Sequence, residues 1–387
     1  MVEPTAAPEP PSLQRRNHLP GAKGDRLPLV GRTRATMQLQ DSDELPVFDL
    51  FCGGGGFSEG ARQAGCSIVF ACDNDPVAIS VHEQNHPACV HWCSDLPRSD
   101  IPFPRDGRPF HVHGSPPCQA FSSAGRKGDG MDANRENTSL ALVDWYVSTA
   151  LSSGATSWTM EQVNHKSIRA LLERHARRHP GRVAFTTIDF YDMGVPQRRV
   201  RIIAGTPEIV KRLNLYAGSC RRRSIEQVLP RVLGTHIKSR LCHLSRRRRQ
   251  PSDPQGDTVS KNVYVMAPIT AYWHTIRGSS PTIVAGHHSG WWVNVVDGVP
   301  KLTALRPVDT AWLQTFPPDY KLPKEHRFFW RVVGNAVPPL VAKVIMRICT
   351  AHCVPKLVVL AEPASPSFSR LRHTTYNTGA GVPGVNT

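Results

Sequence analysis

The sequence predicts a doubly wound α/β fold that carries a smaller second domain, and three observations point to it. A short apolar run over residues 45–51 leads into Gly53-Gly54-Gly55-Gly56. A second apolar run over residues 67–72 ends in Asp73-Asn74-Asp75, about twenty residues after the glycines, as in the opening βαβ unit of such sheets. Strand-like and helix-like segments then alternate as far as residue 204, where the pattern stops and arginine-rich sequence begins.

Each element has its local reason. Residues 45–51 are short, apolar and bounded by turn formers, which favours a strand. The glycines allow backbone conformations closed to other residues. A helix is expected over 57–64, closed by Gly65, and then a strand over 67–72. Pro76 suits the first turn of a helix over 76–85. A strand over 110–113 runs into Gly114-Ser115-Pro116-Pro117-Cys118. A helix over 140–151, a short strand over 157–160 ending at Glu161, and a basic helix over 168–179 follow. Residues 183–189 and 200–204 read as an antiparallel strand pair. Regular structure returns over 305–316 and over 333–349, the latter as one helix associated with two prolines.

Composition sets the limits. The 387 residues carry a net charge of +16, which points to a polyanionic partner, since Lys and Arg bind phosphates and release counterions. Residues 1–45 are basic, proline-rich and aperiodic, and are expected to form a disordered extension. Residues 46–205 form the expected main domain and 206–300 a second, smaller one. Arg221-Arg222-Arg223 and Arg246-Arg247-Arg248-Arg249 lie in that second stretch, and Glu226 is the only acid between 221 and 249. Residues 301–353 are expected to return to the main domain, and 354–387 to be a largely disordered tail. Ten cysteines include no C-x-x-C pair. Cys89/Cys93 and Cys349/Cys353 have a spacing that could hold zinc, with His91 and His352 inside, but no matching half lies nearby, so no metal site is expected. The first residues lack the apolar core of a secretory signal, and no uncharged apolar run reaches membrane-spanning length. The expectation is a reduced, non-secreted chain without a membrane partner.

Two features carry chemistry. A glycine turn between a strand and a helix start brings backbone N–H groups close to a ligand, and an acid at the end of the next strand can accept bonds from ribose hydroxyls. Taken alone, this fits a nucleotide-like cofactor or an ordinary glycine turn. No G-K-[ST] follows the glycines, which argues against a P-loop. Cys118 follows two prolines that fix the backbone, so its thiol is suited to be held in place, although a lone cysteine is equally at home as an inert packing residue.

Six short motifs in order resolve that choice. They are Asp49-Leu50-Phe51-Cys52-Gly53-Gly54-Gly55-Gly56-Phe57-Ser58, Ser115-Pro116-Pro117-Cys118-Gln119, Glu161-Gln162-Val163, Gln197-Arg198-Arg199-Val200-Arg201, Leu313-Gln314-Thr315-Phe316-Pro317 and Gly334-Asn335-Ala336-Val337-Pro338-Pro339. Their order and separation resemble the DNA cytosine-5 methyltransferase family over most of residues 46–350. The resemblance implies a Rossmann-like S-adenosylmethionine-dependent methyltransferase fold with a small target-recognition domain over 206–300. It implies that Phe51, Gly53, Gly55, Asp73, Asn74, Asp95, Pro117, Asn335 and Val337 bind S-adenosylmethionine. It further implies that Cys118 attacks carbon 6 of a cytosine, that Glu161 bonds the N3 and N4 edge, and that Arg199 and Arg201 complete the catalytic set. A stacked base cannot reach such a thiol, so double-stranded DNA would give up a flipped cytosine.

The chain departs from the family pattern at a few positions. Gln162 stands for the usual Asn, Asp309 for Glu, Trp312 for Arg and Asp73 for Glu. His274, Arg277, His287, His288 and Trp291-Trp292 are candidate readers of the target sequence. A monomer is expected, in the nucleus or in a bacterial cytoplasm and nucleoid according to where its DNA lies. A tRNA cytosine-5 methyltransferase, or a catalytically weak DNA-binding relative, is the alternative, although the Cys-Phe-Thr signature of the RNA branch is absent.

Overall fold

The structure is a computed structural model and describes residues 44–117, 121, 133–229, 236–239, 273–275, 279–280, 282–285, 290–296, 299–304 and 306–353. Its first part alternates as the sequence predicts: β1 Pro46–Leu50, α1 Gly56–Gln63, β2 Ser67–Asp73, α2 Pro76–Asn85, β3 Val90–Cys93 and β4 His111–Gly114. Then come α3 Ala133–Ser152, β5 Ser157–Val163, α4 Lys166–Arg178, β6 Ala184–Asp189, a 3-10 turn Phe190–Met193, and β7 Val200–Gly205. These strands form one seven-stranded sheet in the order β3-β2-β1-β4-β5-β7-β6. β1, β2, β3, β4 and β5 pair in parallel, and β7 is antiparallel to both β5 and β6. The chain order reverses about β1, between β2 and β4, which is where open α/β sheets open a crevice at their carboxyl edge.

Helices cover the sheet because its central strands are buried on both faces, as in β1, β4 and β5. Val47 and Ile203 lie in one core with Phe57, Ile209, Leu213, Val341, Ile345 and Met346, from α1, α5 Pro207–Ser219 and α9 Pro339–Cys353. α1 lies so close to α9 that a Cβ at Gly60 would stand 2.2 Å from Pro339 O and 2.4 Å from Ala342 Cβ. α3 and α4 pack on each other, α3 against β5 and α4 against β6.

Two expectations change here. The stretch 206–229, assigned from sequence to the smaller domain, sits with the large one. α5 packs on β6, β7 and α9, and α6 Ile225–Val228 supplies Ile225 to a cluster with Leu313, Phe316, Tyr320, Phe329 and Trp330. The expected helix over 333–349 is two helices, α8 His326–Asn335 and α9. Ala336 is extended at ψ 143°, and Val337 and Pro338, each directly before a proline, are disfavoured from the helical region, so the break is held there. Residues His326–Cys353 together have the length and hydropathy of a membrane crossing, although they carry Arg327, Arg331, Lys343 and Arg347. The break at 336–338 and the 72% burial of its most apolar window make it core instead.

A second, antiparallel sheet has the order β11-β10-β8-β9, from β8 His236–Ser239, β9 Trp273–Thr275, β10 Gly290–Val296 and β11 Val299–Ala304. Only backbone pairing is described for it. α7 Pro307–Leu313 then brings Ala311 and Leu313 to the cluster of Ile225, Phe316 and Tyr320, with Arg306 and Asp309 bonding each other across its first turn.

Candidate active site at the carboxyl edge of the large sheet

The loop after β1 is built from left-handed residues. Phe51, Gly53 and Gly55 have φ of 57°, 53° and 85°. For a non-glycine such as Phe51 that conformation is strained, and such strain concentrates at functional sites. Neighbouring groups hold it. The Gly53 N–H donates to Asp73 Oδ2 at 2.9 Å, the Asp75 N–H donates to Asp73 Oδ1 at 2.9 Å, and the Tyr320 hydroxyl donates to Gly54 O at 2.6 Å. The Phe51 ring meets the Trp145 ring edge-on at 6.1 Å. Asn74 Nδ2 donates to Asp95 Oδ1 at 3.0 Å at the exposed rim. The register aligns Leu50 with Cys72 and with Gly114, and Cys72 with Trp92. Phe51, Gly53, Gly55, Asp73, Asn74 and Asp95 therefore share one edge, as the motif reading requires.

This edge fits an adenosyl ligand. Asp73 is clamped by two N–H groups, yet each carboxylate oxygen keeps a lone pair for a ribose hydroxyl, and burial lifts its pKa against those bonds. Phe51 is half-buried and offers a ring for a base to stack on. Beneath the loop, buried Asp49 accepts a bond from Ser58 Oγ at 2.7 Å, and desolvation raises its carboxyl to about 7.

Glu161 is placed by register. Gly114 pairs with Met160, so Glu161 lies beside the start of the Pro-Cys loop. Arg201, opposite Val163 on β7, brings Nε to 2.9 Å from Glu161 Oε1, both side chains nearly buried. The ion pair engages Oε1, which makes no further hydrogen bond among the described residues. Gln162 Nε2 donates to Pro116 O at 3.0 Å, and its Oε1 accepts from the Val163 N–H at 2.7 Å. Glutamine thus holds the loop in the place of the family's usual asparagine. The Ser115 N–H donates to Leu50 O at 3.2 Å, and His113 Nε2 lies 3.1 Å from Ser115 Oγ, so the loop is fixed from two strands. Pro117 is exposed at its end. Cys118 lies outside the described residues.

Arg199 is not brought to Glu161. It is 2% exposed, and its guanidinium donates to Ile283 O at 3.1 Å, Gly334 O at 3.2 Å and Ala336 O at 3.2 Å. Three carbonyls take its donors, which holds the turn at 334–336 against the segment at Ile283. Gln197 and Gln314 join the same lock: Gln197 Nε2 donates to Gln314 Oε1 at 2.6 Å, Gln197 Oε1 accepts from the Ile283 N–H at 3.0 Å, and Gln314 Nε2 donates to Ala336 O at 2.8 Å. These bonds set the turn that carries Asn335, which is exposed, and Val337, which is buried in the α1–α9 core. Gln197, Gln314 and His113 were not singled out from sequence. Two buried glutamines in successive motifs were the available signal.

The arginines expected to meet phosphate divide. Arg222 pairs with Asp192 and lies over the Tyr191 ring, and Arg223 Nε donates to Gly194 O, so both belong to the large domain's own surface. Residues 246–249, Arg277, His287 and His288 lie outside the described residues, as do the side chains of His274, Trp291 and Trp292.

Comparison with known proteins agrees with this geometry. The C-5 cytosine-specific DNA methylase family matches residues 45–145 and 182–351. Type II methyltransferase M.HgiDI of Herpetosiphon aurantiacus is 27% identical over 317 residues, covering 76% of this chain and 90% of that one. Type II methyltransferase M.AgeI of Thalassovita gelatinovora is 37% identical over 91 residues, so the matched part spans only 21% of that relative and 22% of this chain. A solved structure assigned as a DNA modification methyltransferase, encoded within an E. coli prophage, superposes with a TM-score of 0.53 at 20% identity. It covers 79% of this chain and 98% of that one, and at that identity shows the fold. With the glycine loop, the Glu161–Arg201 pair and the return segment at one sheet edge, and the family matched across most of the chain, this protein belongs to the C-5 cytosine-specific DNA methylases.

Proposed function

We propose that this chain methylates carbon 5 of a flipped-out cytosine in double-stranded DNA, with Cys118 as its nucleophile. The observation that carries the reading is Glu161: a buried carboxylate paired with Arg201 at the edge where the Pro-Cys loop starts. A carboxylate oxygen has more than one lone pair, so the pair with Arg201 leaves capacity to accept from a cytosine edge.

Carbon 5 of cytosine is a poor nucleophile while the ring is aromatic. Addition of the Cys118 thiolate to carbon 6 breaks that aromaticity and moves electron density to carbon 5. Glu161 supports the shift by bonding N3 and the N4 amino group, and Arg201 holds Glu161 in place. Gln162 fixes Pro116 and thereby the approach of the loop that carries Cys118. Phe51, Gly53, Asp73 and Asp95 are the residues suited to hold S-adenosylmethionine, which supplies an electrophilic methyl group when bound. Loss of the carbon-5 proton and elimination of Cys118 then restore the ring. The second sheet and Arg246-Arg247-Arg248-Arg249, between β8 and β9 in the chain, are assigned to DNA contact, the arginines giving affinity without sequence information. The compartment is wherever that DNA lies.

The test is transfer of labelled methyl to duplex DNA and, in parallel, to tRNA, with Cys118→Ala as the control. Label in DNA as 5-methylcytosine that depends on Cys118 is expected. Label in tRNA alone, or turnover by Cys118→Ala, overturns the reading.

A further inference from the structure

Away from the cytosine site, α1, α2 and β3 bring together a set of donors that methyl transfer does not use. Ser58 Oγ donates to Asp49 Oδ2, and His82 Nε2 lies 2.9 Å from the same Ser58 oxygen. The serine has one proton and gives it to the carboxylate, so His82 Nε2 carries the hydrogen of that second contact. His82 Nδ1 therefore presents a lone pair, and it faces His91 Nε2 at 2.7 Å. Cys89 Sγ completes the group, and the three ligand atoms all lie within 4.8 Å of one another. His82 and Cys89 are buried, while His91 on the edge strand β3 is partly open to solvent. The sequence spacing paired Cys89 with Cys93. The fold pairs it with His82 and His91 instead, leaving Cys93 exposed.

We propose that His82, Cys89 and His91 form a zinc-class metal site, with solvent in the fourth position. Two imidazoles and one thiol suit a borderline cation such as zinc and not a hard one. A metal-bound histidine is oriented by what its other nitrogen bonds, and here Ser58 and Asp49 do that for His82 from beneath. A hydrogen bond between the two imidazoles explains their approach but not Cys89, whose nearest acceptor is Val90 O at 3.5 Å. Bonds of about 2.0 Å at a tetrahedral angle put two ligand nitrogens roughly 3.3 Å apart. His91 must therefore withdraw by about 0.6 Å, a small movement for an edge strand. On binding, the hydrogen between the imidazoles moves to His91 Nδ1, and the Cys89 thiol releases its proton to water, so one proton leaves per ion. The ion ties α2 and β3 together over α1, directly behind the glycine loop.

Cobalt(II) titration of the metal-stripped full-length protein under reducing conditions tests this, independently of any methyl transfer. The expected result is one equivalent bound with a thiolate-to-cobalt charge-transfer absorption, displaced by zinc. Cys89→Ser and His91→Gln should each abolish the absorption and weaken zinc binding by about tenfold or more, while Cys93→Ser keeps both. His91 is partly exposed, so His91→Gln should fold, which circular dichroism verifies. Absence of the absorption in the parent protein, or its persistence in Cys89→Ser, overturns the proposal. So does unchanged zinc affinity in folded His91→Gln.

Discussion

Replacing Arg199 with methionine separates a positioning role from a catalytic one. The side chain is 2% exposed and donates to three carbonyls, those of Ile283, Gly334 and Ala336. Methionine fills much of the same volume and donates nothing. Ala336 O keeps the amide of Gln314, so the substitution strips a donor chiefly from Ile283 O and Gly334 O. A buried polar group losing its partner costs about 1–3 kcal/mol, so two of them cost about 3 kcal/mol. At about 2–4 °C per kcal/mol for a domain of this size, Tm should fall by roughly 6–12 °C. The turn that carries Asn335 and Val337 loosens with it, so KM for S-adenosylmethionine should rise more than kcat falls. Urea unfolding, calorimetry of cofactor binding and steady-state kinetics measure the three effects. Arg198→Met is the control: its ion pair with Asp189 is 63% exposed on the arginine side and should contribute no more than about 1 kcal/mol. If Arg199→Met loses less than about 1 kcal/mol, or if kcat collapses with cofactor affinity intact, the positioning argument fails.

Two further perturbations test the packing and the buried ionisable groups. Gly60→Ala places a methyl 2.2 Å from Pro339 O and 2.7 Å from Lys343 N, backbone atoms at the start of α9 that cannot swing aside. The helix-propensity gain of about 1 kcal/mol should be outweighed by overpacking of about 1–3 kcal/mol, and a denaturation midpoint at or above that of the parent would contradict the α1–α9 contact. His111 is fully buried and pushed down to about 3 by desolvation, and His113 is lowered further by burial and by His111. Below about pH 6.5 the unfolded chain protonates both while the folded chain does not, so each removes about 1.4 kcal/mol per pH unit on acidification. Asp49, raised to about 7, works the other way, staying protonated in the fold down to the pH where the unfolded carboxyl follows. Buried His82 and His86, the latter pushed down to about 4, add to the loss and Asp73 offsets part of it, so stability falls by at least about 1.4 kcal/mol per unit between pH 6.5 and 4. Asp49→Asn should steepen it, and a stability that rises on acidification in urea titrations would refute the assignment.

Much of the large sheet was legible because its signals are local. An apolar run, a glycine turn and an acid at the next strand end lie within thirty residues, and the structure places them as β1, the loop and β2. The helix over 76–85 was found with its ends because Asp75 caps it and Pro76 starts it. What was misread depended on distant partners. α5 looks like any amphipathic helix, and only α9, more than a hundred residues later, shows that Ile209 and Leu213 belong to the first core. The merged helix over 333–349 had a local signal that was underweighted: two consecutive prolines remove donors and force the preceding residues to extend.

Arg199 and Arg201 show why a motif gives place more surely than task. Both stand in one five-residue block and carry the same side chain. Arg201 lies within β7, opposite Val163, and that register turns it towards Glu161 on β5. Arg199 precedes the strand, where its N–H already donates to Asp189 Oδ1 and where the segment around Ser280 and Ile283 crosses. Its guanidinium therefore meets the carbonyls of Ile283, Gly334 and Ala336. Two positions along the chain separate a residue that holds Glu161 from one that joins three distant segments. The difference comes from strand register and from a crossing segment more than eighty residues away, neither of which the block itself encodes.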